Sequence, residues 1–368
     1  MKQNFNDNSL VNFSNSFLAH FGVKPFHKTI KIVDKVLNNH QKIAVILFDG
    51  MGRNIVQKHL GEKSFIRKNY LCTINSTFPP TTTAATTAFL TGKYPIETGW
   101  MAWSQYFEQY QRNIILFKNV DYNTEKKLSP AAIAFNELPI TTMFELIKNS
   151  SGIDVFDIKR YPADKKGPKS LKDLENTIND KLKQTEKCFA YFYFDSPDCE
   201  MHEFGIDHKR VHSRIATINR LVKRVVENNK DTLFFTFADH GHINVKYFDV
   251  CEHNDLYSLL IRPVSFEKRT PTFFVKKDKK EEFALLFSKY YGKHFVLLTK
   301  EEALAKEIFG KGMVNKKSLA FIGDYVASSI DEYCLYSSKE MKKSQLFKGH
   351  HAGMTQEELL IDVSVYNV

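Results

Sequence analysis

The chain has 368 residues, 43% of them hydrophobic and 26% charged, with 52 basic against 42 acidic side chains. That length and balance suit one large or two modest globular domains and exclude a disordered chain. The formal charge of +10 is spread along the whole chain, and its densest tract (Lys276, Lys277, Lys279, Lys280) is short and broken by Asp278, as on a solvated face, so no specific nucleic-acid partner is expected.

At the amino end, MKQNFNDNSLVNFSNSF carries one lysine and no continuous apolar run. Neither a secretory core nor a membrane span is therefore expected, and a cytoplasmic location is. Further on, short apolar runs stand at 43–49 (IAVILFD), 154–158 (DVFDI), 188–195 (CFAYFYFD) and 232–239 (TLFFTFAD). Such runs are buried on both faces, and helix-length segments such as 171–184 and 208–228 separate them. The pattern predicts an α/β protein with a largely parallel central sheet flanked by helices. Three of the four runs end in Asp. In open α/β sheets the ligand crevice lies beyond the carboxyl ends of the strands, so Asp49, Asp195 or its neighbour Asp198, and Asp239 are expected to converge there.

From about 255 to 345 the strand runs are weaker, with PTFFV at 271–275 and CLY at 334–336, and helices are expected near 278–290 and 300–308. This stretch reads as a smaller inserted α+β lobe within a single catalytic domain spanning 1–368, before a last strand near 359–366. The five cysteines (Cys72, Cys188, Cys199, Cys251, Cys334) are odd in number and contain no Cys-x-x-Cys pair. That argues against a disulfide framework and a thiolate zinc knuckle, so a metal site must be built from His and Asp.

Four local patterns bear on chemistry. Asp49-Gly50-Met51-Gly52 ends a buried strand in a carboxylate and a tight turn; alone, it is an ordinary Asp-Gly turn. The segment 77–92 (TFPPTTTAATTAFLTG) sets hydroxyls at the start of an Ala-rich helix. Thr81 or Thr82 would lie where unpaired N–H groups and the helix dipole favour a phosphate-like anion, or would simply cap the helix. Asp198-x-x-x-His202 allows both side chains to face one ion from a single helical turn, and Asp239-His240-Gly241-His242 directly follows a strand. Carboxylate oxygens and imidazole nitrogens suit zinc or manganese. Gly349-His350-His351-Ala352-Gly353 adds imidazoles just before the last strand.

In this order on strand ends, Asp, Thr, Asp-x-x-x-His, Asp-His and a late His resemble the alkaline phosphatase superfamily. The closest match is to its type I phosphodiesterase and nucleotide pyrophosphatase family, through FDG, TFPPTTTAATTAFLTGKYP, SPDCEMHEFG, FADHGH and HHAGMTQEE. The blocks run from about residue 42 to the end, while 105–187 and 243–345 carry no recognisable motif. The resemblance implies an alkaline-phosphatase-like fold and two divalent ions, with zinc the first candidate and manganese the second. One ion would be held by Asp198, His202 and His351. The other would be held by Asp49, Asp239, His240 and the nucleophile oxygen. Counting back ten positions from Gly92, as the superfamily pattern does, gives Thr82 as nucleophile; Thr81 is the alternative and Thr77 stands too far back. His351 fits the block better than His350.

One departure concerns substrate. Where the pyrophosphatases carry an Asn after the Tyr-Pro-x-x-x-Gly segment, this chain has Trp100, Met101, Ala102 and Trp103 following Gly99. Trp103 is the substitute considered for substrate contact, by donation from its indole N–H or by stacking on a planar leaving group, against simple packing beside Trp100. Arg262 and Lys268 are weaker candidates for a substrate phosphate. His242 and His253 are expected mainly at the surface, with support of a ligand as the other option, and His208, His212 and His294 need no ligand role.

The implied activity is hydrolysis of a phosphodiester or nucleotide pyrophosphate bond through a phosphothreonine intermediate, on a small phosphorylated substrate in the nucleotide class. The alternative is a phosphomonoesterase of the same superfamily. Sulfatase chemistry lacks its Cys-x-Pro-x-Arg block, and a binding protein without turnover would not need every expected ligand position filled.

Overall fold

The computed structural model describes residues 7–160, 162–339 and 346–368. The first six residues of the amino-terminal reading and residues 340–345 of the expected 255–345 lobe lie outside that description. The central sheet contains, in chain order, β1 (Lys42–Phe48), β2 (Tyr70–Asn75), β3 (Asp154–Lys159), β4 (Cys188–Phe194), β5 (Leu233–Phe237) and β6 (Leu360–Tyr366). Across the sheet the order is β2-β6-β5-β1-β4-β3. The pairings β5-β1, β1-β4 and β4-β3 are parallel, and β6 runs antiparallel to both β5 and β2.

The four apolar runs of the sequence are the four parallel strands of this sheet, but the expected burial on both faces fails for β3, a half-exposed edge strand covered on one side only by its pairing with β4. β1 and β5 are buried at every position, as strands covered by helices on both faces must be. The edge strand β2 (YLCTIN) escaped the sequence reading because its residues show neither a continuous apolar run nor a clean alternation.

Four helices matter for the site or its support: α1 (Leu10–His20), α2 (Thr82–Thr91), α3 (Asp198–Phe204) and α4 (Lys209–Asn228). α1 begins in a reciprocal capping box between Ser9 and Asn12. It lays Phe13 and Phe17 on the sheet, with the Phe13 ring 5.2 Å from that of Phe237 and Phe17 stacked 5.2 Å from Phe189. The helices expected at 171–184, 278–290 and 300–308 form at Leu171–Leu182, Lys280–Tyr291 and Lys300–Ala305.

A second, antiparallel sheet runs in the order Phe295–Thr299, Tyr325–Ser329, Pro271–Phe273, Ser265–Phe266, Ser104–Phe107, Arg112–Ile115, Val120–Asp121. Strands from 104–121 thus complete the sheet to which the 255–345 stretch contributes. The five cysteines are free, and Cys199 is exposed. Among the described residues, no helix is long and apolar enough to cross a membrane.

Candidate metal centre

The three expected carboxylates meet beyond the carboxyl ends of β1, β4 and β5. Asp49 follows β1, Asp198 opens α3, and Asp239 stands two residues after β5. Hydrogen bonds from main-chain N–H groups tie the loops together: Asp198 N–H donates to the Asp49 carbonyl (3.1 Å), and Gly50 N–H donates to the Asp239 carboxylate at Oδ1 (3.1 Å). Glycine is required at two places. Gly50 has φ +70° and lies against Asp198, and a Cβ on Gly52 would stand 2.5 Å from Gly241 Cα. The Asp49 and His240 loops therefore touch backbone to backbone, which only glycine permits.

Thr82 is the first residue of α2, behind an extended Thr81 at the N-cap. Its Oγ1 lies 3.3 and 3.4 Å from the two Asp49 carboxylate oxygens and 3.2 Å from His240 Nε2. Thr81 and Thr83 are buried on either side, whereas Thr82 remains partly accessible. The helix start thus directs one hydroxyl of the threonine run into the cluster, beside the free N–H groups of the first turn.

The histidines are oriented by the main chain. Nδ1 of His202 bonds Gly349 O (2.9 Å), Nδ1 of His240 bonds Gly241 O (2.9 Å), and Nδ1 of His351 bonds Pro80 O (3.0 Å). Each Nε2 is left facing carboxylate: His202 at 3.4 Å from Asp198 Oδ2, His351 at 3.9 Å from Asp198 Oδ1, and His240 at 3.4 Å from both Asp49 Oδ1 and Asp239 Oδ2. Fixing one ring nitrogen so that the other keeps its lone pair for an ion is the arrangement metal-binding histidines use.

Burial pushes the His202 ring down to about 4 and holds His351 well below the ordinary imidazole range, so both stay neutral, the ligand form. Burial, reinforced by Asp239 and Asp198, pushes the Asp49 carboxyl well above its usual range. Burial likewise raises Asp239, to about 7. Asp198 goes the other way: burial works to raise it, but His202 and His242 outweigh burial and hold it below the ordinary carboxylate range. Buried Asp198 Oδ1 and Asp239 Oδ2 have no hydrogen-bond partner among the described residues. Crowded, dehydrated carboxylates with orphaned oxygens and neutral imidazoles are a donor set that fits divalent cations.

Three groups of side chains lie close enough to share an ion: Asp49, Asp239 and His240; Asp198, His240 and His351; and Asp198, His202 and His242. Every site residue expected from the motifs, Trp103 apart, lies in this cluster. Asp195 does not join it, being ion-paired with Arg160. Trp103 sits at the start of the second sheet, its N–H donating to Glu267 Oε1 (2.6 Å) and Lys118 Nζ 5.5 Å from its ring. Trp100, its neighbour in the packing alternative, is fully buried and donates its indole N–H to Leu138 O. Arg262 is committed to the Phe274 and Tyr106 rings, whereas Lys268 lies beside Phe347, which packs on His202.

One residue was placed wrongly by the sequence reading and another was missed. Surface placement fails for His242, which is fully buried with Nε2 3.3 Å from Asp198 Oδ1; its position two residues beyond His240 in one loop was the available signal. Tyr193 read as part of an apolar strand, but its hydroxyl donates to Asp49 Oδ2.

Residues 43–354 match the family model described as type I phosphodiesterase / nucleotide pyrophosphatase. The chain belongs to this family. It is accordingly a hydrolase of phosphoric esters, acting on phosphodiester bonds. Among solved structures it is similar to murine ectonucleotide pyrophosphatase / phosphodiesterase 5, at 15% identity and TM-score 0.64 over 89% of this chain and 88% of that one. An inactive variant of the murine protein in complex with AMP gives a TM-score of 0.63 at 15% identity, with the same coverage of both chains, 89% and 88%. The human counterpart gives 0.64 at 14%, again over 89% and 88%. At these identities the likeness establishes the shared α/β fold. No curated protein matched the chain by sequence.

Proposed function

We propose that this member of the family cleaves phosphodiester or nucleotide pyrophosphate bonds with two divalent ions and a phosphothreonine intermediate on Thr82. The observation that carries the reading is the Thr82 hydroxyl, 3.3 Å from Asp49 and 3.2 Å from His240 at the start of a helix. One ion is assigned to Asp198, His202 and His351, the other to Asp49, Asp239, His240 and the Thr82 oxygen, with zinc the first choice and manganese the second. Such ions, when bound, lower the pKa of an oxygen ligand and offset charge on a phosphoryl group.

Thr82 Oγ1 gives up its proton toward the Asp49 side of the cluster and attacks phosphorus in line. The phosphorus–oxygen bond to the leaving alcohol or nucleotide breaks, and the phosphoryl group stays on Thr82. Water then attacks phosphorus, its hydroxyl staying on phosphorus and its other proton going to the oxygen of the departed group. The bond from phosphorus to Thr82 Oγ1 breaks, a phosphomonoester or phosphate leaves, and Thr82 recovers its proton from the Asp49 side. The N–H groups at the head of α2 are placed to hold the charged phosphoryl oxygens. The substrate is proposed to be a small phosphorylated compound of the nucleotide class. Support comes from the family's description and from the AMP held by the murine relative. Trp103, partly accessible and with its indole N–H free of protein partners among the described residues, is the candidate platform for the leaving group.

The test is turnover of bis(p-nitrophenyl) phosphate and p-nitrophenyl phosphate by metal-stripped protein refilled with zinc or manganese, alongside Thr82→Ala. Metal-dependent turnover with a diester preference is expected, and Thr82→Ala should lower it about 10³-fold or more. Monoester preference would instead select the phosphomonoesterase alternative. Turnover that survives chelation or the Thr82 substitution would overturn the mechanism.

A further inference from the structure

His242 is a fully buried imidazole with an unused coordination capacity. Neither ring nitrogen has a hydrogen-bond partner among the described residues. Its Nε2 lies 3.3 Å from Asp198 Oδ1, itself without a hydrogen bond among the described residues. Its ring centroid is 4.6 Å from that of His202 and 5.5 Å from that of His351. A buried imidazole with both ring nitrogens unpaired costs about 1–3 kcal/mol per orphaned group unless something binds there.

The backbone holds this ring in place. Ile243–Asn244 and Gly349–His350 form a two-stranded antiparallel ribbon in which His350 is opposite Ile243, so His242 and His351 face each other where the ribbon ends. The His242 carbonyl accepts from Asn54 Nδ2 at 2.7 Å. Across the ribbon, a Cβ on Gly349 would stand 2.9 Å from His242 Cε1, so the ring is packed against a position that has no room for a side chain. The other three imidazoles of the cluster are aimed by hydrogen bonds to main-chain carbonyls; His242 is aimed by packing.

We propose that His242 is itself a ligand, supplying Nε2 to the ion seated on Asp198 and His202, so that this site offers three imidazoles and one carboxylate. The inference rests on the two-ion reading above and goes beyond the ligand set that the motifs imply. Asp198, His202 and His242 lie close enough to share one ion, and Asp198 Oδ1 and both His242 nitrogens lack hydrogen-bond partners among the described residues. Closing the set with a nitrogen also makes the Asp198 site more imidazole-rich than the Asp49 site, which has two carboxylates and one imidazole. Nitrogen-rich donors favour zinc, while carboxylate-rich donors tolerate manganese, so the two sites are expected to differ in metal preference.

Two measurements decide the matter. In the first, stripped wild-type protein and His242→Gln are titrated with zinc against a chromophoric chelator. Wild type is expected to bind two ions, and the variant to weaken one step by more than 100-fold, beyond the roughly 10–100-fold that loss of an outer partner costs. The second needs no variant: anomalous scattering at the zinc edge from crystals of the zinc-loaded wild type is expected to place His242 Nε2 about 2.0–2.1 Å from the ion on Asp198. An ion bound there with Nε2 beyond contact, or unchanged affinity in a folded His242→Gln, would overturn the proposal. Wild type that binds fewer than two ions would instead sink the two-ion reading on which it rests.

Discussion

Tyr193 closes the surroundings of Asp49. The carboxylate already faces Thr82 and His240, and the Tyr193 hydroxyl occupies its remaining side by donating to Oδ2. Burial pushes the phenol far above its ordinary range, so it stays a donor and fixes which carboxylate lone pairs remain for an ion. Tyr193→Phe keeps the ring and removes the donor. Zinc affinity of the Asp49 site should fall about 10–100-fold, measured by chelator competition, while the melting temperature of the stripped protein changes little. At this scale, Asp49, Asp198 and Asp239 were legible because each follows a buried strand run or its turn, and Thr82, His202, His240 and His351 because of their motif spacing. Tyr193 was not, since a tyrosine in a Phe-rich strand carries no signal until the fold shows what it faces, and His242 was only half legible, its place two residues beyond His240 leaving both surface and site open.

Among the elements, the segment carrying His351 is held by a buried ion pair between its own Glu358 and the distant Arg269. Arg269 Nε and Nη2 donate to the two Glu358 carboxylate oxygens at 2.7 and 2.8 Å, and both side chains are fully buried. Glu358 also accepts from Gly353 N (2.7 Å) and Thr355 Oγ1 (2.6 Å), while Arg269 reaches Tyr333 O and Asp331 O. The pair thus straps the His351 loop to the second sheet. Removing one partner leaves an uncompensated buried charge, at about 3–5 kcal/mol. Glu358→Gln should therefore lower the denaturant midpoint strongly and weaken zinc binding at the Asp198 site, whereas Lys317→Ala, on an exposed pair with Glu137, should move the midpoint little. Glu358 was visible in the HHAGMTQEE block, but not its partner: an ion pair that joins positions 89 residues apart has no local pattern. The same limit hid Phe295–Thr299 and Tyr325–Ser329, whose strand partners lie in other segments.

For the molecule as a whole, the parallel core gathers three carboxylates where their mutual repulsion is least screened. A fold that brings Asp49, Asp198 and Asp239 together under burial is stabilised by whatever cation neutralises them. The central sheet that does this was readable because strands buried on both faces leave continuous apolar runs. The antiparallel second sheet was only partly readable, because its strands are short and drawn from two distant stretches, 104–121 and 265–329. Ions that bind only the folded state add stability by mass action, about 2.7 kcal/mol at a free concentration one hundred times the dissociation constant. Chelation should accordingly lower the melting temperature by several degrees, and refilling with zinc should restore it in proportion to the logarithm of free zinc. An Asp49→Asn, Asp198→Asn double variant removes two of the crowded charges. Its stripped form should melt at or above the stripped wild type, and zinc should barely raise it. A variant that still gained the full shift would place the stabilising ions elsewhere in the molecule.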